Sequence, residues 1–174
     1  MFSQIQANFP APILIVQHMP PNFTKSLAQR LDNCSAMKVV EAEQGMILEN
    51  GTAYVAPGGY HMKLARVSAG ASYRIELSKE EPVSGHRPSV EMMFRSLLPL
   101  KELKRHIVLM TGMGSDGAKG MLELKQAGAV TTIAESEESC VVYGMPRAAV
   151  ELGAAMHVVP LGGMVKKLED CVSR

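Results

Sequence analysis

Apolar positions in this chain fall into short runs whose rhythm changes along its length. Residues 11–17 read Ala-Pro-Ile-Leu-Ile-Val-Gln. This continuous apolar run, with a proline near its start, predicts a buried parallel strand. Pro20 and Pro21 end it. Asn22 then stands where a helix cap belongs, and Leu27 and Leu31 lie at helical spacing, so a helix is predicted over 23–31. Residues 37–40 and 52–56 have strand character, with a polar stretch containing Gly45 and Gly51 between them. Alternation over 60–67 and 73–78, around the turn-like Ser68-Ala69-Gly70-Ala71-Ser72, predicts an antiparallel hairpin. A polar loop over 80–88 leads into a helix over 89–98.

The second half is more regular. A strand over 106–111, a glycine turn, a helix over 118–127 and a strand over 129–134 make a βαβ unit. A short helix over 146–152 has Pro146 in its first turn. A strand over 156–160 and a final helix over 165–172 follow. Alternating strands and helices imply an α/β fold in three layers. A mainly parallel sheet carries helices on both faces, with the antiparallel hairpin at its periphery.

Composition narrows the function classes. The 174 residues suit a single domain, taken as 1–174, with enough core to need neither disulfides nor a metal. Apolar residues are 47% and charged residues 20%, which excludes a disordered chain. A net charge of +1 argues against a nucleic-acid surface. No apolar run approaches the ~18 residues of a membrane span, and MFSQIQANFP is not a signal peptide. The expectation is a cytoplasmic protein that neither inserts in membranes nor binds nucleic acid. Cys34, Cys140 and Cys171 are widely spaced and lack a CxxC or Cys/His cluster, so reduced thiols and no metal or cofactor are expected.

In open α/β sheets, sites form at the carboxyl ends of strands. His18 follows the first apolar strand, and Asp116 lies in the turn after the strand over 106–111. On parallel neighbouring strands the two would share a sheet edge, as a carboxylate orienting an imidazole base requires. A structural histidine and a helix-capping aspartate are the competing readings. The turn itself, Gly112-Met113-Gly114-Ser115-Asp116-Gly117, also fits G-x-G-x-x-G between strand and helix, with Glu135 eighteen residues on. That is the context of a dinucleotide-binding module. Asp116 stands against it, because a carboxylate at a helix N-terminus repels a pyrophosphate.

Five blocks carry a resemblance. They are APILIVQHMP at 11–20, AYVAPGGYHM at 53–62, HRPSV at 86–90, LMTGMGSDG at 109–117 and SCVVYGMPRAA at 139–149. In this order, across nearly the whole chain, they resemble the catalytic domain of the CheB chemotaxis protein-glutamate methylesterase family. The resemblance implies a serine hydrolase that cleaves glutamate methyl esters on chemoreceptor helices, releases methanol, and in many members deamidates receptor glutamines. It implies that His18 is the general base and Asp116 its orienter. Backbone groups near Met113, with Gly114 beside it, would help hold the oxyanion. Arg87 would contact the acidic receptor segment, with local hydrogen bonds in a solvated loop as the alternative, and Met145 with Met113 would line a pocket for the ester methyl, with plain packing as the alternative. His86 and Ser89 fall in the same polar loop as Arg87; His61, His106 and His157 read as structural.

One departure accompanies these matches. The family's nucleophile lies in a G-x-S-T-G-G turn roughly two dozen residues before the histidine. Only 17 residues precede His18 here, and the sole serine among them, Ser3, has no glycine beside it. Residues 2–9 read as the end of the helix that follows that turn. The expectation is a catalytic domain lacking its first strand, nucleophile and receiver domain, and inactive as a 174-residue polypeptide. Ser89, Ser115 and Ser139 read as structural rather than as substitutes. A non-catalytic, receptor-binding remnant is the third reading.

Overall fold

The computed structural model describes residues 2–67 and 72–173. They form two compact units, Phe2–Ser96 and Leu97 onward. The first unit opens with a 3₁₀ turn, Phe2–Gln4, where the sequence suggested the end of a helix. Residues 5–9 do not continue it as an α-helix. Pro10 disfavours helical backbone at Phe9, and the segment is too short to sustain a helix alone.

Three parallel strands follow: β1 (Ile13–Ile15), β2 (Lys38–Glu41) and β3 (Thr52–Val55). Their order is β1-β3-β2, so β3 is central, and each of its four residues is buried. Ile13 pairs with Ala53 and Ile15 with Val55. Helix α1 (Phe23–Cys34) packs on β2 and β3. Asn22 does not cap it. Its backbone is left-handed (φ 72°) and its side chain makes no capping bond. A capping residue needs extended backbone to aim its side chain back at the first turn. The β2–β3 crossover has no helix. It leans on the hairpin instead, with Gly45 N–H donating to Ile75 O and Leu48 N–H to Tyr73 O.

The hairpin is β4 (His61–Arg66) and β5 (Tyr73–Ser78), antiparallel from His61 opposite Ser78 to Arg66 opposite Tyr73. The expected turn falls largely on residues 68–71, which lie outside the described residues. Helix α2 (Val90–Ser96) packs on β4, and its Ser96 Oγ accepts the Leu64 N–H at 3.0 Å.

The second unit is a parallel sheet of β6 (His106–Leu109), β7 (Thr131–Glu135) and β8 (His157–Val159), in that order. Helix α3 (Ala118–Gln126) crosses from β6 to β7, and α4 (Met145–Glu151) from β7 to β8. The last helix is α5 (Met164–Val172). Strand residues alternate between faces. Ile133 faces Met164 and Leu168 of α5. Thr132 faces the other way, donating to Ala154 O at 2.7 Å beyond α4. Both faces of this sheet are therefore covered, as a parallel sheet requires.

Candidate functional site

In the first unit the site is built around the strap that carries His18. The chain leaves β1, and Ala56 N–H still donates to Ile15 O at 2.8 Å. Pro20 and Pro21 then cross Gly58. A Cβ at Gly58 would lie 2.4 Å from the carbonyl carbon of Pro20, so only glycine lets the backbones meet. Gly58 N–H donates to Thr24 Oγ1 at 2.9 Å, and that hydroxyl donates to Glu41 Oε1 at 2.6 Å. Gly59, at φ +83°, donates its N–H to Arg87 O at 3.1 Å. The Gly58-Gly59 pair thus joins the His18 strap to the loop bearing His86 and Arg87.

That loop turns at Val83-Ser84-Gly85-His86. Ser84 and Gly85 both have positive φ, 54° and 78°. Val83 and His86 exchange backbone hydrogen bonds of 3.1 and 2.9 Å. The turn delivers the His86 ring flat onto the His18 ring, with centroids 3.7 Å apart and planes 3° from parallel. A cleft of about 270 Å³ opens beside them, lined by both histidines, Met19, Pro20, Gly85, Arg87 and Pro88. Arg87 donates from Nη1 to the carbonyls of Lys79 and Glu80, each at 3.0 Å. His61 is fully buried, with Nε2 3.0 Å from Glu81 O.

In the second unit the glycine turn leaves β6. Thr111 Oγ1 donates to Val142 O and accepts the Val142 N–H, at 3.2 and 2.9 Å. The Met145 N–H donates to Gly112 O at 2.8 Å. A Cβ at Gly112 would lie 2.3 Å from Met145 Sδ, and one at Gly144 would lie 2.6 Å from Gly112 O. The Met145 side chain is therefore packed under the turn, whereas that of Met113 is 77% exposed. Gly114 and Gly117 have φ +80° and +84°. Asp116 is buried at the start of α3, and Ser115 is exposed.

Glu135, buried at the end of β7, braces this turn. Its Oε2 accepts the Thr111 N–H at 2.9 Å, and its Oε1 accepts the Ser139 hydroxyl at 2.9 Å. Ser139 Oγ also accepts the Leu161 N–H at 2.9 Å. A dinucleotide site needs that carboxylate for a ribose, and here it is committed within the fold. Burial, then the charge of nearby Glu135, pushes the Cys140 thiol above its ordinary range. Ser89 Oγ accepts the Met92 N–H at 3.4 Å, as a residue starting α2 would. Among the described residues no cluster of three His, Cys, Asp or Glu could hold a metal, and no helix is long and apolar enough to cross a membrane.

The structure thus groups His18 with Arg87 in one unit, and Asp116, Met113, Gly114 and Met145 in the other. Sequence reading missed the stacking of His86 on His18 and the bracing by Glu135. The Ser84-Gly85 turn signal was the available clue to the first.

Each unit is a parallel α/β sheet, with His18 after a strand end in one and buried Asp116 in a glycine turn after a strand end in the other, the places where such sheets carry their sites. The family model for the CheB methylesterase matches residues 1–168, and the chain belongs to that family. It is 51% identical over 151 residues to a protein-glutamate methylesterase/protein-glutamine glutaminase of Halalkalibacterium halodurans, covering 87% of this chain and 43% of that one. It is 47% identical over 172 residues to the protein of that name from Geobacillus kaustophilus, covering 99% and 49%. The chain thus spans about half the length, or less, of these curated relatives. The crystal structure of the Thermotoga maritima CheB methylesterase catalytic domain superposes with a TM-score of 0.93 at 40% identity. The match covers 98% of this chain and 88% of that one.

Proposed function

We propose that this chain provides the base and orienting acid of a cytoplasmic protein-glutamate methylesterase acting on methylated chemoreceptor helices, with glutamine deamidation as a second activity. The observation that carries the reading is the position of the two motif residues. His18 follows parallel strand β1 and Asp116 follows parallel strand β6, in a chain of this family. In this reading Asp116 orients the imidazole of His18. His18 takes the proton of a serine hydroxyl as that oxygen attacks the ester carbonyl, and then returns it to the departing methanol. Backbone N–H groups around Met113 and Gly114 hold the oxyanion. Water, activated by His18, then releases the glutamate. Arg87 faces the acidic receptor segment as a charge-assisted donor.

The nucleophile in this reading is the serine of the family's G-x-S-T-G-G turn. Ser89, Ser115 and Ser139 keep structural roles. Methanol release from a methylated receptor, measured for residues 1–174 and for a form extended upstream by the family's G-x-S-T-G-G segment, tests the proposal. The extended form is expected to be active, and His18→Gln in it inactive. Full activity of the His18→Gln variant would overturn the reading.

A further inference from the structure

We infer that His86 is a positioning residue for the base: its ring, stacked on His18, fixes the plane in which His18 exchanges its proton. The inference rests on His18 being that base. An imidazole is not oriented by its rotamer alone, because its second side-chain torsion is broad and roughly two-fold. A half-turn about that torsion exchanges Nδ1 with Cδ2 and Nε2 with Cε1, and a smaller turn tilts the ring plane, so in either case the nitrogens leave the positions that face the nucleophile and the orienter. The stack fixes the plane of the ring. At 3.7 Å between centroids and 3° between planes, the two rings are in van der Waals contact over a whole face. Turning His18 would drive its edge into His86.

His86 is itself held so that it can serve as a wall. It closes a tight turn whose central residues, Ser84 and Gly85, both take positive φ, the geometry that matches a twisted hairpin. Two backbone bonds to Val83 lock that turn, and the next residue, Arg87, is tied by its carbonyl to Gly59. Gly59 adjoins Gly58, which abuts the Pro20 backbone of the His18 strap. The wall and the ring it supports are therefore referenced to one rigid segment. The stack also bears on charge. His18 becomes cationic during the reaction, and the face of an uncharged aromatic ring accommodates a cation, whereas a fixed positive charge at 86 would repel it.

The test has a spectroscopic and a kinetic arm. In the 174-residue chain, the His18 ring protons should show a ring-current displacement and a cross-relaxation contact to His86, in signals that report one ring orientation. His86→Ala should abolish the displacement and average the His18 ring signals over several orientations, while His86→Phe should keep the displacement and the single orientation. In the extended form, His86→Ala should lower kcat by about 10- to 100-fold, as a misplaced catalytic group does, with KM nearly unchanged. His86→Phe should restore most of kcat, and His86→Lys should not. Unchanged His18 signals in His86→Ala, or unchanged kcat in a form that His18→Gln inactivates, would overturn the inference. If His18→Gln stays active while the signals behave as expected, the base assignment fails and the stack stands. Thermal melts of His86→Phe and wild type should coincide, which separates positioning from folding.

Discussion

A methyl group at position 58 would sit 2.4 Å from the backbone of Pro20, closer than any unstrained contact. Gly58→Ala is therefore expected to push the His18 strap outward, costing about 1–3 kcal/mol as overpacking does. A thermal melt reads the cost, and loss of the His18–His86 ring contact reads the displacement. An unchanged melt with the contact intact would show that the strap yields freely. The thiols give a second expectation. Cys34 is exposed, while burial and Glu135 hold the Cys140 thiol high. The thiolate is the reactive form, so at neutral pH a maleimide should label Cys34 well before Cys140. Mass spectrometry of partly labelled protein checks the order, and faster labelling of Cys140 would contradict it. Single residues could be placed from the sequence where a motif named them: His18 follows β1, and Asp116 follows β6. The partners of those residues could not. Nothing in the spacing of His18 and His86 announces that a turn 68 residues later lays one ring on the other. Likewise Glu135 looked like a ribose ligand until its two oxygens were found on Thr111 and Ser139.

Strands and helices were easier to read, because each buries an apolar pattern of its own period. The buried run of β3 and the βαβ sequence of β6, α3 and β7 follow directly from that pattern. The ends were harder. Asn22 has a capping side chain but a left-handed backbone, set by the tight turn in which Phe23 N–H reaches back to Pro20 O. Within β7, Ile133 is wholly buried under α5, so Ile133→Ala should cost about 2–5 kcal/mol, read from denaturant midpoints. A smaller loss would mean that α5 settles into the space. At the start of β6, burial first and Lys104 second hold the His106 imidazole below its ordinary value near 6.5. The unfolded chain therefore binds this proton more readily than the folded one. The contribution of His106 is full above pH ~6.5 and is lost as pH falls through that value toward the folded one. Melting temperature should fall on acidification below that point, and His106→Gln should flatten the fall. An equal slope in both proteins would assign it to other groups.

For the whole polypeptide, the α/β class and the order of elements were legible, and the distribution of strands was not. Among the described residues, β1 is the terminal strand of one three-strand order and β6 of the other. An edge strand exposes unpaired N–H and C=O groups and invites pairing. In the proposed reading the nucleophile is the serine of the family's G-x-S-T-G-G turn, a motif that residues 1–174 do not contain. The 174-residue polypeptide is therefore expected to show no methylesterase activity. His18 and Asp116 activate a nucleophile, and without one they can only steer a water. Loss of a triad member leaves residual catalysis of about 10³–10⁴ over water where the oxyanion hole and binding site are intact. Extension by about 20 residues, the length of a strand, turn and short helix, should raise both the melting temperature and the methanol-release rate. Robust hydrolysis of a methylated receptor by the short polypeptide would refute the expectation. It would make the exposed Ser115, or Ser139 once freed from Glu135, the nucleophile, and Ser115→Ala and Ser139→Ala would tell which.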